Sequence, residues 1–241
     1  MNTVTVTARK REEALQEVPV SISVFTGEQL KNAAITSARD LYAETPGLNY
    51  DTGFDQNAAT PAIRGVTSQE IATYRQKVTT FLDGMPILGQ QGTVPFLAVQ
   101  QVEVLRGPQS AAFGRSTFGG AINYTTRDPG DGLEAEVNLD IGSNNLLAID
   151  GLLAGPIVAD KLGGLLAVSQ RSVDGDSDWV TVEEGVSLGG EDALNVLAKL
   201  VFTPTDNLSI EARYKYLDSD NEQTPRAFYP LDSAIRGIHP D

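Results

Sequence analysis

The stretch RGPQSAAFGRSTFGGAIN, residues 106–123, combines glycines, arginines and serines, the residue types found in phosphate-binding loops and catalytic turns. A phosphate-binding loop of the GxxxxGK[ST] type is excluded, because Arg115 stands where the lysine belongs and the spacing differs. A nucleophile elbow is excluded as well, because GxSxG is absent and the only histidine, His239, stands near the end of the sequence. The four glycines of this stretch permit tight turns and close backbone approach. We therefore predict a structural segment in a crowded interior.

The rest of the composition also argues against an enzyme. The 241 residues contain no cysteine and one histidine, which excludes thiolate chemistry, disulfides and most transition-metal sites. A carboxylate-based hydrolase is the remaining enzymatic alternative, but no pair of acids stands out. Asp174, Asp176 and Asp178 resemble the start of a calcium loop without its terminal glutamate, so we predict no metal site and no cofactor. The formal net charge of −14 leaves no basic face for a nucleic-acid partner.

Residues before about 130 mix helix and strand signals, which predicts an α+β domain. A strand is expected over Val18–Phe25, followed by a helix whose N-cap is Thr26, with Gln29 completing a capping box. A second helix is expected over Ser37–Tyr42, ending before a proline, and a third over Gln109–Phe113, with Gly114 as its C-terminal stop. Short strands separated by Gly, Asp and Pro turns fill the remainder.

From residue 133 the sequence alternates strictly between apolar and polar residues. In LEAEVNLDI and in NLSIEARYKYL every second residue is apolar, and looser alternation covers residues 147–154, 164–173 and 194–203. These five segments have about the ten residues that a tilted transmembrane strand requires. A soluble antiparallel sheet with one wet face is the alternative reading of such alternation.

The connections between these strands favour a membrane barrel. GPIVADKL and TPTDN are short turns that fall on one side of the sheet, while the long acidic segment DGDSDWVTVEEGVSLGGED falls on the other. Outer-membrane barrels have short periplasmic turns and long extracellular loops. Five strands cannot close a barrel, because the smallest single-chain barrels have about eight, so we expect an open, partial sheet.

Taken in order, these segments resemble one family, the TonB-dependent outer-membrane receptors. TVTVTA resembles a TonB box, and VPVSISVFTGEQL, LYAETPGLNY, PAIRGV, TTFLDGMP and VEVLRGPQSAAFGRSTFGGAINYTTRDP resemble successive blocks of the plug domain. The resemblance implies three parts: a TonB box and tether over residues 1–17, a plug domain over 18–130, and the first strands of a transmembrane barrel over 131–241. It also implies location in the bacterial outer membrane, in contact with lipid.

The resemblance further assigns roles to individual residues. Arg64 and Arg106 match plug arginines that form a plug–barrel lock with barrel carboxylates, although two solvated surface arginines are the plain alternative. The TonB box would bind the energy-coupling protein TonB by β-strand addition, whereas a frayed terminus or first strand is its alternative. The residues of that box are Thr3, Val4, Thr5, Val6, Thr7 and Ala8. The expected ligand contacts are Tyr74, Arg75, Gln90 and Gln91.

The function implied by the resemblance is active uptake of a scarce ligand, without covalent chemistry. A metal chelate such as a ferric siderophore is the expected ligand, while vitamin B12 and saccharides stay open. The alternative is a passive porin-like or ligand-binding outer-membrane β-protein that has no energy coupling.

Overall fold

The computed structural model describes residues 5–6, 13–14, 21–51, 60–66, 77–87, 94–114, 116–175, 189–205 and 207–221. Near the N-terminus, β1 (Thr5–Val6) pairs antiparallel with β2 (Glu13–Ala14). Both strands lie within residues 1–17, the predicted TonB box and tether. A second small pairing joins β4 (Leu48–Asp51) to β5 (Thr60–Ile63).

The N-terminal domain is built on a mixed five-stranded sheet in the order β3-β8-β9-β6-β7. Its strands are β3 (Ser21–Thr26), β6 (Val78–Leu82), β7 (Met85–Pro86), β8 (Val99–Arg106) and β9 (Gly120–Thr126). The β6–β9 pair is parallel and the other pairs are antiparallel. This sheet confirms the predicted α+β domain.

Three short α-helices flank this sheet, and two of them begin at capping boxes. Thr26 caps α1 (Gly27–Asn32) as predicted, accepting from the Gln29 N–H at 3.3 Å while the Gln29 side chain accepts from the Thr26 N–H at 2.9 Å. Ser37 caps α2 (Ala38–Glu44) in the same way. The third, α3 (Ser110–Phe113), is followed by Gly114 at a positive φ of 84°.

The C-terminal part is an antiparallel meander of five strands in sequence order, each about the length expected from the alternation or longer. The strands are β10 (Glu134–Ile141), β11 (Leu147–Val158), β12 (Leu162–Val173), β13 (Glu191–Thr205) and β14 (Leu208–Asn221). Among the described residues, β10 and β14 each pair on one side only, so the sheet is open. The two short predicted turns join β11 to β12 and β13 to β14 at one end of the meander, while β12 ends and β13 begins at the other end. Of the predicted long acidic segment between them, residues 176–188 lie outside the described residues.

The two faces of the meander have opposite character. The outer face carries the apolar set of the alternating pattern, and these side chains are exposed; Val137 and Ile141, for instance, retain 75% and 76% of their accessible surface. The other large exposed members are Leu133, Leu139, Leu147, Ile149, Leu153, Leu166, Leu200, Phe202, Leu208, Ile210, Tyr214 and Tyr216. A continuous apolar surface of this kind marks a membrane or protein contact, and it has the arrangement of a lipid-facing barrel wall.

The inner face of the meander packs against the N-terminal domain. Leu152, Leu165 and Leu197 belong to the same buried cluster as Leu41 and Val102 of that domain. The two parts therefore share one core, although their sequences read as separate units. No helix in the described part of the chain is long and apolar enough to cross a bilayer.

Candidate functional site

The interface between the N-terminal domain and the meander has an apolar centre. A 3-10 helix, Phe96–Ala98, contacts β11 and β12, and Phe96 and Leu97 pack against the shared core. Ala154 and Ala167 supply small side chains on the facing wall and are buried. Small residues there let the backbone of the N-terminal domain approach the sheet closely and exclude water from this centre.

Beside this apolar centre, a lysine of β13 reaches the end of the N-terminal domain. The Lys199 side chain is 4% exposed, and its Nζ donates to Asp128 Oδ1 at 2.6 Å and to Thr126 Oγ1 at 3.2 Å. Its third oxygen neighbour is Oε1 of Glu211 on β14, at 3.4 Å. A buried ammonium group requires such partners, since burial of an unpaired charge is strongly unfavourable.

The strand partner of Lys199 on β14 is Arg213, which reaches the β6–β7 turn. Its Nη1 lies 3.4 Å from Asp83 Oδ2 and 3.4 Å from the Leu82 carbonyl oxygen, while its Nε donates to Glu211 at 2.5 Å. Asp83 also accepts from the Thr126 N–H at 2.7 Å and from the Thr126 hydroxyl at 2.8 Å. One carboxylate therefore connects the turn, the end of β9 and the meander.

A third set of ion pairs connects the N-terminal domain to β10. Glu136 accepts from Lys31 of α1 at 2.6 Å and lies 3.7 Å from Nη1 of Arg127. The Lys31 side chain is 68% exposed, so this pair is solvated and contributes little stability.

The two predicted lock arginines, Arg64 and Arg106, lie together at the start of β3. Arg64 Nη2 and Arg106 Nη1 are 3.4 Å and 3.3 Å from the same oxygen, Ser21 Oγ, and Arg106 Nη2 donates to Ser23 Oγ. The Arg106 Nε is buried without a hydrogen-bond partner among the described residues. Two guanidinium groups that share one hydroxyl form a site suited to carboxylates.

The remaining predicted site residues are described only in part. In the predicted TonB box, Thr5 and Val6 form β1, and Thr3, Val4, Thr7 and Ala8 lie outside the described residues. The predicted ligand contacts Tyr74, Arg75, Gln90 and Gln91 also lie outside them.

The sequence reading missed the residues at the meander interface. Lys199 and Arg213 were visible only as charged residues in alternating strands, and their partners lie 71 and 130 positions earlier, at Asp128 and Asp83. The available signal was Lys199 itself, a lysine within the apolar run LNVLAKLVF. Within the described residues, no group of three or more His, Cys, Asp or Glu side chains is arranged to hold a metal ion.

Comparison with known proteins gives this architecture its family. Residues 14–121 match the family model "TonB-dependent Receptor Plug Domain". The pesticin receptor of Yersinia pestis is 32% identical over 207 residues, which cover 85% of this chain and 30% of that receptor.

Solved structures give the same result. The ferric yersiniabactin uptake receptor FyuA from Yersinia pestis is 31% identical with a TM-score of 0.68, over 78% of this chain and 29% of that one. The pyoverdine outer membrane receptor FpvA from Pseudomonas aeruginosa PAO1 shares the fold at 17% identity, with a TM-score of 0.71 over 90% of this chain and 30% of that one. The chain thus spans about 30% of the length of the receptors it matches. It belongs to the TonB-dependent outer-membrane receptors, and comprises their plug domain and antiparallel strands of their barrel.

Proposed function

We propose that this protein is an energy-coupled outer-membrane receptor that imports a ferric siderophore. The observation that carries the proposal is a folded plug domain packed on the inner face of strands whose outer face is apolar. A plug in this position obstructs free diffusion through the barrel, so passage of a ligand requires the plug to rearrange. Rearrangement against a shared hydrophobic core requires an input of energy.

The siderophore class is supported by the relatives. FyuA, at 31% identity, is a ferric yersiniabactin uptake receptor, and that identity extends over plug and strands together. Ferric yersiniabactin is therefore the first ligand to test. A passive porin-like protein is the competing function, and the uptake experiment below separates the two.

The energy-coupling segment in this proposal is the TonB box, residues 3–8. The described part of it, Thr5–Val6, is already an extended strand that pairs with Glu13–Ala14. TonB would add a strand to its free edge or replace the β2 pairing. Main-chain hydrogen bonds would supply most of the affinity.

The plug–barrel lock in this proposal is formed by Arg64 and Arg106. Their guanidinium groups meet at Ser21, and like charges held together are stabilised when carboxylates approach them. Barrel carboxylates would supply that charge, in pairs that are strong when dry and can still separate.

The ligand contacts in this proposal are Tyr74, Arg75, Gln90 and Gln91, whose aromatic, cationic and amide groups suit a polar metal chelate. Replacement of all four by alanine should weaken binding of ferric yersiniabactin without changing the amount of receptor in the outer membrane. If the fourfold variant binds ferric yersiniabactin as tightly as the wild type, these residues are not ligand contacts.

The decisive experiment measures uptake of radiolabelled ferric yersiniabactin by cells that produce the full-length receptor or a variant lacking residues 3–8. Energy-coupled import predicts that the deletion abolishes uptake while surface binding of the chelate persists. A protonophore should have the same effect on the intact receptor. Uptake that continues at the wild-type rate after the deletion would establish the passive alternative.

A further inference from the structure

The contact of the plug with β13 and β14 has a charge arrangement opposite to that of the proposed lock. In the lock, the plug supplies the arginines. On this flank the barrel supplies both cations, Lys199 and Arg213, and the plug supplies the carboxylates Asp83 and Asp128. The two sites therefore use different residues and require separate explanations.

The position of Lys199 within the barrel wall buries its ammonium group, so the group depends on the oxygen atoms that contact it. In the sheet it is directly opposite Leu165 on one side and Arg213 on the other, and Leu165 lies in turn beside Ala154. Leu165 and Ala154 are buried members of the shared core. Water is excluded from that side of the ammonium group, whereas the Asp128 side chain is 77% exposed. The weight of the contact therefore lies with the buried lysine, because removing its partners would leave a buried charge unpaired.

Glu211 connects the two cations into one network. Its Oε1 lies 3.4 Å from Lys199 Nζ and 2.5 Å from Arg213 Nε. It offsets the repulsion between two neighbouring positive side chains and orients both toward the plug. The barrel thus presents a preorganised pair of donors.

The plug groups that meet these donors belong to two segments that must stay together. One is the β6–β7 turn with Asp83, and the other is the end of β9 with Thr126 and Asp128, where the chain leaves the plug for the barrel. Asp83 joins the segments by accepting two hydrogen bonds from Thr126. The Arg127 N–H also donates to the Ala98 carbonyl at 2.8 Å, which fixes the same segment to the 3-10 helix.

We propose that Lys199 and Arg213 are positioning residues that anchor the plug to β13 and β14 and close this flank of the barrel against leakage. The anchor consists of Lys199, Arg213 and Glu211 on the barrel and of Asp83, Thr126 and Asp128 on the plug. It requires only that the plug occupies the barrel, so it does not depend on which ligand is transported.

The test uses the full-length receptor in proteoliposomes loaded with calcein. Lys199→Met with Arg213→Met replaces both cations by unbranched apolar side chains that are shorter than lysine and arginine, and calcein efflux should rise several-fold. Lys199→Arg with Arg213→Lys keeps the charges and should restore slow efflux. Lys31→Met, which removes the solvated pair with Glu136, is the matched control and should leave efflux at the wild-type rate. Equal efflux from the methionine variant and the wild type would overturn the proposal.

A second variant avoids any ambiguity from altered folding. Cysteines replace Asp128 and Lys199, whose Oδ1 and Nζ atoms are 2.6 Å apart, and are joined by a short bismaleimide. The 241-residue sequence contains no cysteine, and any cysteine elsewhere in the full-length receptor is first replaced by serine. The same inserted protein is then compared before and after cross-linking. Efflux should be fast before the reaction and slow after it. Efflux that is equally slow before the reaction, or equally fast after it, would show that this contact does not close the flank.

Discussion

Gly120 lies so close to Leu105 that a Cβ at position 120 would stand 2.4 Å from the Leu105 carbonyl oxygen. The same Cβ would stand 2.6 Å from Cδ1 of Ile63, which is fully buried. The backbone φ of Gly120 is +151°, a value that other residues rarely adopt. The contact explains why the stretch 106–123 requires glycine where β9 begins, beside the last residue of β8.

Gly120→Ala should therefore destabilise the plug by about 1–3 kcal/mol through backbone strain alone. The clash between the new Cβ and the Leu105 carbonyl oxygen adds to this cost, because a backbone atom cannot move aside as a flexible side chain can. The measurement is a urea titration of the reconstituted receptor, followed by a fluorophore on Glu28→Cys as its single cysteine; the 241-residue sequence contains none, and any elsewhere in the receptor is replaced by serine. Gly132→Ala is the control, since a Cβ there meets nothing within 4 Å. An unchanged urea midpoint for Gly120→Ala would show that the strands separate at little cost.

The predictable part of the fold is the part determined by local sequence. The Thr26 capping box, the stop of α3 at Gly114 and the five alternating strands all depend on residues a few positions apart. The alternation also predicted which side chains face outward, because a strand has a strict period of two. The family followed from ordered blocks, which carry far more information than any single motif.

The contacts between plug and barrel were not predictable in the same way. Asp83 and Arg213 meet only after the plug sheet has folded and β14 has paired with β13, and no local pattern records that meeting. The shared core is hidden for a related reason, since Leu152 and Leu197 are apolar residues of the inner face, in strands whose outer face is apolar as well. A single sequence does not show which apolar residue packs on the plug.

The outer face of β10 provides a test of its membrane contact. Leu139→Arg places a charge on the exposed apolar face. For a position near the bilayer midplane, it should destabilise the folded protein in the bilayer by about 2–4 kcal/mol. Asp140→Arg changes the next residue, which lies on the opposite face, and should have little effect. The measurement is the folded fraction in lipid vesicles by heat-dependent gel mobility. An equal loss for both variants would contradict a lipid-facing assignment.

The proposed lock makes a prediction about Ser21. Ser21→Asp places a carboxylate where the Arg64 and Arg106 side chains already converge, so it should pair with them inside the plug and compete with barrel carboxylates. Calcein efflux from receptor proteoliposomes should rise. Ser21→Asn has the same size without the charge and should leave efflux unchanged. If both variants behave like wild type, the arginines do not hold the plug to the barrel.

The proposed strand addition at the TonB box can be tested more specifically by a single substitution than by deletion of residues 3–8. Val6→Pro removes one main-chain donor from β1 and fixes its φ, so it should abolish binding of purified TonB as well as uptake. Val6→Thr changes the side chain but keeps the donor and the preference for a strand, and should retain both. Binding is measured by calorimetry with the full-length receptor and ferric yersiniabactin present. Loss of binding in Val6→Thr equal to that in Val6→Pro would mean that TonB recognises the valine side chain, since the main-chain donor is intact in that variant.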